Sequence, residues 1–410
     1  MHMVETDQVQ RVVLRKVYDS RGNPTVEAEI TTRGGKVGRA SSPSGASRGT
    51  HEVVPFPKEG VDAGIERTRE RLVPRITGAA LGGQSVFDAT LHEIDGTEDF
   101  SVLGGNTATA LSVAYAAATA EARDEPLWKA ITDDPDVLPS PPALVGNVMN
   151  GGVHAVGGPA IQEFIAFVEA PTARAEVEAA VAVHREVGRR LRELLPKTAL
   201  GKGDEGGWVA PLPDEQALEI LAGACRTVGE ERADRKVRVR PGLDLAASEL
   251  LRDGHYHYRD RKITPDEQGE FVARLATTYD LAYIEDPLDQ EDFERFAELT
   301  RRVGKGRLIV GDDLYTTSVG RLQQGIDRSA SNAILIKVNQ VGTLTDTLEA
   351  SRLARRSGWA TVTSHRSGET PDGWLAHVAL ALGSRGLKCG VLGGERIAKL
   401  NELVRIAGDA

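Results

Sequence analysis

The chain has 410 residues, 40% apolar and 27% charged, enough for two or three domains, or for a small domain beside a barrel of roughly 250 residues. A formal net charge of −10 offers no basic field for a nucleic-acid partner, and two cysteines, Cys225 and Cys389, exclude a disulfide framework. No run reaches the roughly 20 apolar residues of a membrane span, and no basic then apolar leader opens the chain, so a cytoplasmic protein without a membrane partner is expected.

Residues 11–40 alternate apolar and polar, with turns at Arg21-Gly22-Asn23-Pro24 and Arg33-Gly34-Gly35, which predicts an antiparallel meander. Helical periodicity follows near 61–76, 85–94 and 107–121, giving an α+β capping domain over 1–132. The Asp- and Pro-rich stretch 133–142 reads as a linker, and 143–410 as a (β/α)8-type barrel.

In that second part, short apolar strands end on ionisable residues: Asp244, Glu285, Asp312, Lys337, His365 and Lys388. From Glu285 onward these recur every 23 to 28 positions, one strand-loop-helix unit each, which puts the chemistry at the C-terminal face of a closed barrel. An open doubly wound sheet is the competitor, but no glycine-rich dinucleotide fingerprint follows the first strand. Three carboxylates converging there repel one another and call for a cation, and hard oxygen ligands suit Mg²⁺. Unrelated helix caps would explain the acids alone, but not the lysines and histidine on the next tips. A lysine closing the buried strand Ala333-Ile-Leu-Ile-Lys337 either finds carboxylates or gives up its proton readily, as a general base must. Metal and base together fit proton abstraction beside a carboxylate, a pairing that general enzymology associates with the enolase superfamily.

Tyr18-Asp-Ser-Arg-Gly-Asn-Pro-Thr-Val-Glu27, Pro43-Ser-Gly-Ala-Ser47, Gly203-Asp-Glu-Gly-Gly207, Ile284-Glu-Asp-Pro287, Gly311-Asp-Asp-Leu314, Leu335-Ile-Lys-Val-Asn-Gln340 and Ser364-His-Arg-Ser-Gly-Glu-Thr370 resemble the motifs of the enolase family, in the family's order. The resemblance implies a carbon-oxygen hydro-lyase that dehydrates 2-phospho-D-glycerate, or a close phosphorylated or phosphonylated analogue, to an enolpyruvate. It implies two Mg²⁺ per site, the first on Asp244, Glu285 and Asp312, the second joined by Ser47 as substrate arrives. Lys337 would be the base at C2 and Glu205 the acid at C3, its proton kept by repulsion from Glu163. Glu163 and His365 complete the catalytic set. Lys388 would take the substrate carboxylate, Arg366 and Ser367 the phosphate, and His154, which follows the glycine-rich Asn150-Gly-Gly152, would approach with a lid. A homodimer or higher homo-oligomer is implied by the same resemblance.

The chain departs from the family pattern on the loops. Arg48 stands between Ser47 and Gly49, and Cys389-Gly390-Val-Leu-Gly-Gly394 follows Lys388. A cation at Arg48 suits a substrate with an extra carboxylate, so the alternative is a specialised paralogue forming carboxyphosphonoenolpyruvate in phosphonate biosynthesis. A non-catalytic binding or structural role is the alternative of another class.

Overall fold

The computed structural model describes residues 8–46, 48–79, 81–132 and 140–407. Most of the expected linker, 133–139, lies outside the described residues, as does Ser47.

Strands β1 (Val9–Tyr18), β2 (Pro24–Thr32) and β3 (Val37–Ser41) form the expected antiparallel meander. Three main helices follow: α1 (Val61–Arg71), α2 (Gln84–Asp95) and α3 (Gly105–Ala122). α3 is alanine-rich and buried on nearly all sides, because it lies against the meander where only small side chains fit. Gly38 of β3 is one such contact: a Cβ there would stand 2.1 Å from the backbone nitrogen of Ala118.

The second part is a closed eight-stranded barrel, β4 (Ala143–Asn150), β5 (Glu163–Glu169), β6 (Arg238–Asp244), β7 (Tyr283–Glu285), β8 (Leu308–Gly311), β9 (Ala333–Ile336), β10 (Ala360–Ser364) and β11 (Gly386–Gly390), with β11 pairing back onto β4. It is not eight identical strand-helix units. β5 runs antiparallel to both β4 and β6, while the other neighbours are parallel. Parallel neighbours need a long crossover, usually a helix, whereas β4 and β5 are joined by the 151–162 loop, which holds only a short 3-10 turn. Helices α4 (Ala173–Leu194) and α5 (Asp214–Glu231) both sit between β5 and β6. α6 (Pro265–Thr278), α7 (Phe293–Val303), α8 (Val319–Arg328), α9 (Leu344–Arg356), α10 (Trp374–Ala381) and α11 (Gly394–Ile406) continue the shell.

Side chains on a strand alternate between faces. Val145, Ile165, Tyr283, Val310, Leu335 and Val362 fill the barrel interior, while Leu144, Ile284, Ile309, Ile334 and Ile336 pack outward in the larger core. Two residues beyond Tyr283, Val310 and Leu335, the same phase delivers Glu285, Asp312 and Lys337 to the inner side of one rim. The capping domain closes over that rim: Ser44 forms an antiparallel bridge to Gly368, and Asn339 Nδ2 donates to the Pro43 carbonyl at 3.1 Å.

Candidate active site

Glu285 pairs in register with Asp244, and Asp244 with Glu163, so three carboxylates lie side by side on adjacent strands. Lys388, in the middle of β11, reaches all three: its Nζ is 2.9 Å from Asp244 Oδ2, 2.7 Å from Glu285 Oε2 and 3.3 Å from Glu163 Oε1. Burial alone would lower Lys388, but these acids hold its proton well above the usual lysine range. Lys337 likewise sits against Asp312; burial would lower its pKa, and the Asp312 charge raises it instead. Of the two outcomes open to a buried strand-end lysine, partnership with a carboxylate is the one realised here.

The acids outnumber the ammonium groups that face them. Burial and the neighbouring Asp244 push Glu285 up to about 8, and its Oε1 is buried without a hydrogen-bond partner. That is the electrostatics of a site short of positive charge, and its hard oxygens suit a divalent cation. Asp244, Glu285 and Asp312 are the three acids that the family resemblance assigns to such an ion. Asp286 aims the third of them: its carboxylate accepts the backbone N–H of Asp312 at 2.9 Å and of Asp313 at 2.8 Å. Gln340 Nε2 adds a bond to Asp312 Oδ1 at 2.8 Å. Among the described residues, two groups gather potential ligand atoms within 4.8 Å of one another, Asp286 with Asp312 and Asp313, and His154 with Glu163 and Glu205; Asp244, Glu285 and Asp312 together are not one of them.

Glu205 stands across the cavity, on the loop between α4 and α5. Gly206 takes a left-handed φ of 78°, and a Cβ there would lie 2.2 Å from the Leu392 carbonyl oxygen, so the turn needs glycine. Glu205 Oε2 accepts from Asn147 Nδ2 at 2.8 Å and lies 3.2 Å from His365 Nε2. His154 Nδ1 is 3.8 Å from both Glu205 Oε1 and Glu163 Oε1. The expected proton on Glu205 is displaced by these neighbours. Burial would raise Glu205, but His365, His154 and the nearby Arg396 hold it well below the carboxylate range. Burial and the Glu205 charge push Glu163 well above that range, outweighing Lys388, so the pair keeps its proton on Glu163.

Arg366 is buried, and its fork grips Glu52 from the capping domain, Nη1 to Oε2 at 3.0 Å and Nη2 to Oε1 at 3.1 Å. Ser367 Oγ accepts the Ala46 N–H at 2.6 Å. Together with His154, Lys388, Glu163 and Glu205, Arg366 and Ser367 line one small polar cavity that also exposes Asp244, Asp312, Lys337 and His365. Arg48 is not part of that lining. It is exposed and braces its own loop, donating from Nη2 to the Val53 carbonyl at 3.1 Å.

Several participants escaped sequence reasoning. Asn147 had a legible signal, since it follows Val145 by two on the first barrel strand and so faces inward. Glu52, Arg396 and Lys399 had none: charged residues on a loop or helix read as solvated. Lys399 Nζ binds Glu369 Oε2 at 2.7 Å and the carbonyls of Thr370 and Asp372, and Glu369 in turn accepts the N–H of Arg366 at 3.1 Å. This buried pair pins the loop that carries His365, Arg366 and Ser367. Lys399→Met strands a buried carboxylate, so a loss of about 3–5 kcal/mol in unfolding free energy is expected from urea titration. A change below about 1 kcal/mol would refute the pinning role.

Two protein-family models match the chain: "Enolase, N-terminal domain" over residues 9–131 and "Enolase, C-terminal TIM barrel domain" over residues 136–410. Among similar proteins, the one named Enolase of Natronomonas pharaonis is 48% identical over 98% of this chain and 99% of its own length. The Enolase of Halorubrum lacusprofundi is 47% identical over 98% and 99%, and that of Thermoplasma acidophilum 43% identical over 97% and 98%.

Proposed function

The chain belongs to the enolase family and is a carbon-oxygen lyase, and from that premise we propose that it dehydrates 2-phospho-D-glycerate to an enolpyruvate with the residues gathered at the barrel rim. The observation that carries the reading is the facing of Lys337 and the Glu163–Glu205 pair across one cavity that also holds the guanidinium of Arg366.

In this reading Lys337 Nζ takes the proton from C2, and the proton retained by the Glu163–Glu205 pair goes to the hydroxyl leaving C3. Arg366 and Ser367 receive the phosphate; a guanidinium fork matches two phosphate oxygens as it now matches the two oxygens of Glu52. Lys388 anchors the carboxylate. Asp244, Glu285 and Asp312 would hold Mg²⁺, which would supply positive charge beside the carboxylate of the deprotonated substrate. Ser47 is assigned to a second Mg²⁺ by resemblance alone. His154 lies on the 151–162 loop that the antiparallel β5 leaves without a helix, which suits a lid. A cytoplasmic homodimer with a 1–132 capping domain and a 143–410 catalytic domain, serving glycolysis, completes the proposal. No described helix is long and apolar enough to cross a membrane.

A coupled assay with purified protein, 2-phosphoglycerate and Mg²⁺ tests it; turnover at the level of an ordinary metabolic enzyme is expected, on the order of 10 s⁻¹ or more, and its near-absence would overturn the reading. The specialised-paralogue reading rests on Arg48, an exposed residue bonded within its own loop. Arg48→Thr removes one exposed hydrogen bond and a loose 3.9 Å ion pair with Glu52, so a change in 2-phosphoglycerate turnover below about tenfold is expected. Selective loss of activity toward a carboxylated analogue would instead return the specialised product to favour.

A further inference from the structure

Arg396 is the largest fully buried side chain of the described residues, and the reaction outlined above does not use it. It enters from the first turn of α11 and points under the site. Its Nη1 lies 2.8 Å from His365 Nδ1 and donates to the Arg366 carbonyl at 2.5 Å. Its Nη2 donates to the carbonyls of Ser367 at 2.6 Å and Asp204 at 3.2 Å. One guanidinium thus ties the loop bearing His365, Arg366 and Ser367 to the loop bearing Glu205.

The contact with His365 has only one chemical solution. A guanidinium donates and never accepts, so Nδ1 must present its lone pair, and the Gly390 N–H points at the same nitrogen from 3.4 Å. The ring proton is then on Nε2, which faces Glu205 Oε2 at 3.2 Å. Oε2 already accepts the Asn147 amide and is also the oxygen that this N–H faces, so Oε1 is left as the oxygen that exchanges protons. We propose that Arg396 is a positioning residue that fixes His365 as the neutral Nε2–H tautomer, and through it assigns proton transfer at Glu205 to Oε1.

The other charged groups facing the ring are consistent with this. Glu205 and Glu369 favour a second proton on His365, while burial and Arg396 oppose it, and the balance takes the imidazole down to about 4. Lys388, on the adjoining strand, adds no acid. Without the guanidinium, Nδ1 is free to protonate near the ordinary value of about 6.5, or above it beside Glu205.

The catalytic consequence rests on the dehydratase reading, but the tautomer does not, and the two are measured separately. Long-range ¹⁵N–¹H spectra of histidine-labelled wild-type protein, assigned with His365→Gln, report the tautomer without substrate. The Nε2–H form, unchanged from pH 8 to pH 5, is expected; an Nδ1–H form or an imidazolium at pH 7 would overturn the proposal even if the enzyme is fully active. For Arg396→Met, the kcat profile with 2-phosphoglycerate is expected to gain an acid limb near pH 6.5, falling about tenfold for each pH unit below it, while wild type shows none from His365. Arg396→Lys, which restores a cationic donor, is expected to remove that limb. A uniform drop in kcat with the wild-type pH profile would mean that Arg396 only braces the loops. A wild type with the expected tautomer and no dehydratase activity would sink the functional reading and leave the tautomer standing.

Discussion

Lys337→Ala is expected to stop exchange of the substrate C2 proton with solvent and to lower turnover by about 10²–10⁴, the range that a positioned general base contributes. The lysine closes an inward-facing strand position and has no described substitute: the other ammonium at the rim, Lys388, is held by Asp244, Glu285 and Glu163. Glu205→Gln keeps the shape of the site and removes the acid-base group, so it should lower dehydration by a similar factor and spare C2 exchange. That split separates two successive steps. Equal loss of both reactions in both variants would show that Lys337 and Glu205 act as one unit and would refute the division of roles.

Chelation is expected to have the second large effect. Removing divalent cations with EDTA should abolish turnover and Mg²⁺ should restore it, since the acids of the rim outnumber the two ammonium groups that face them, with Glu285 as high as about 8. Stability supplies an independent readout. Mg²⁺ at about a hundred times its dissociation constant should add roughly 2.7 kcal/mol to the unfolding free energy, because binding to the folded state alone shifts the equilibrium by mass action. Glu285→Gln should abolish that increment in a thermal-shift titration. Full activity after chelation, or an unchanged increment in Glu285→Gln, would remove Asp244, Glu285 and Asp312 as the metal site.

How much of this was legible depends on whether a signal is local. Strand tips were: period-2 alternation and the recurrence of one tip per unit put Glu285, Asp312, Lys337 and Lys388 on the same rim. The antiparallel β5 was not, because the feature that fixes its direction is the absence of a helix between 151 and 162, a stretch that otherwise reads as a loop. Glu163, His154 and Arg366 were named through family resemblance, with no spacing of their own to mark them. Which of Glu163 and Glu205 holds the proton was not legible, because charge repulsion between two glutamates is symmetric. What breaks the symmetry is the set of donors from β4, β10 and α11 that surrounds only one of them. Arg396 and Lys399 lie beyond such reasoning altogether, for a charged residue on a helix normally points to water.

The pairing that closes the barrel joins Gly386 to Ala143, the last strand to the first, across nearly the whole catalytic part of the chain. Contacts so distant in sequence form late and slowly, since the loop-closure entropy is spent before they are rewarded. α11, with Arg396 and Lys399, emerges from the ribosome after every other element of the rim. A nascent chain stalled before Gly386 therefore carries the acids that collect cations and the strand edges of β4 and β10, with Lys388 and Arg396 still missing and no partner strand to cover the edges. Such a chain is an aggregation hazard during synthesis, and it places the demand for chaperone protection on the interval before β11 has been translated.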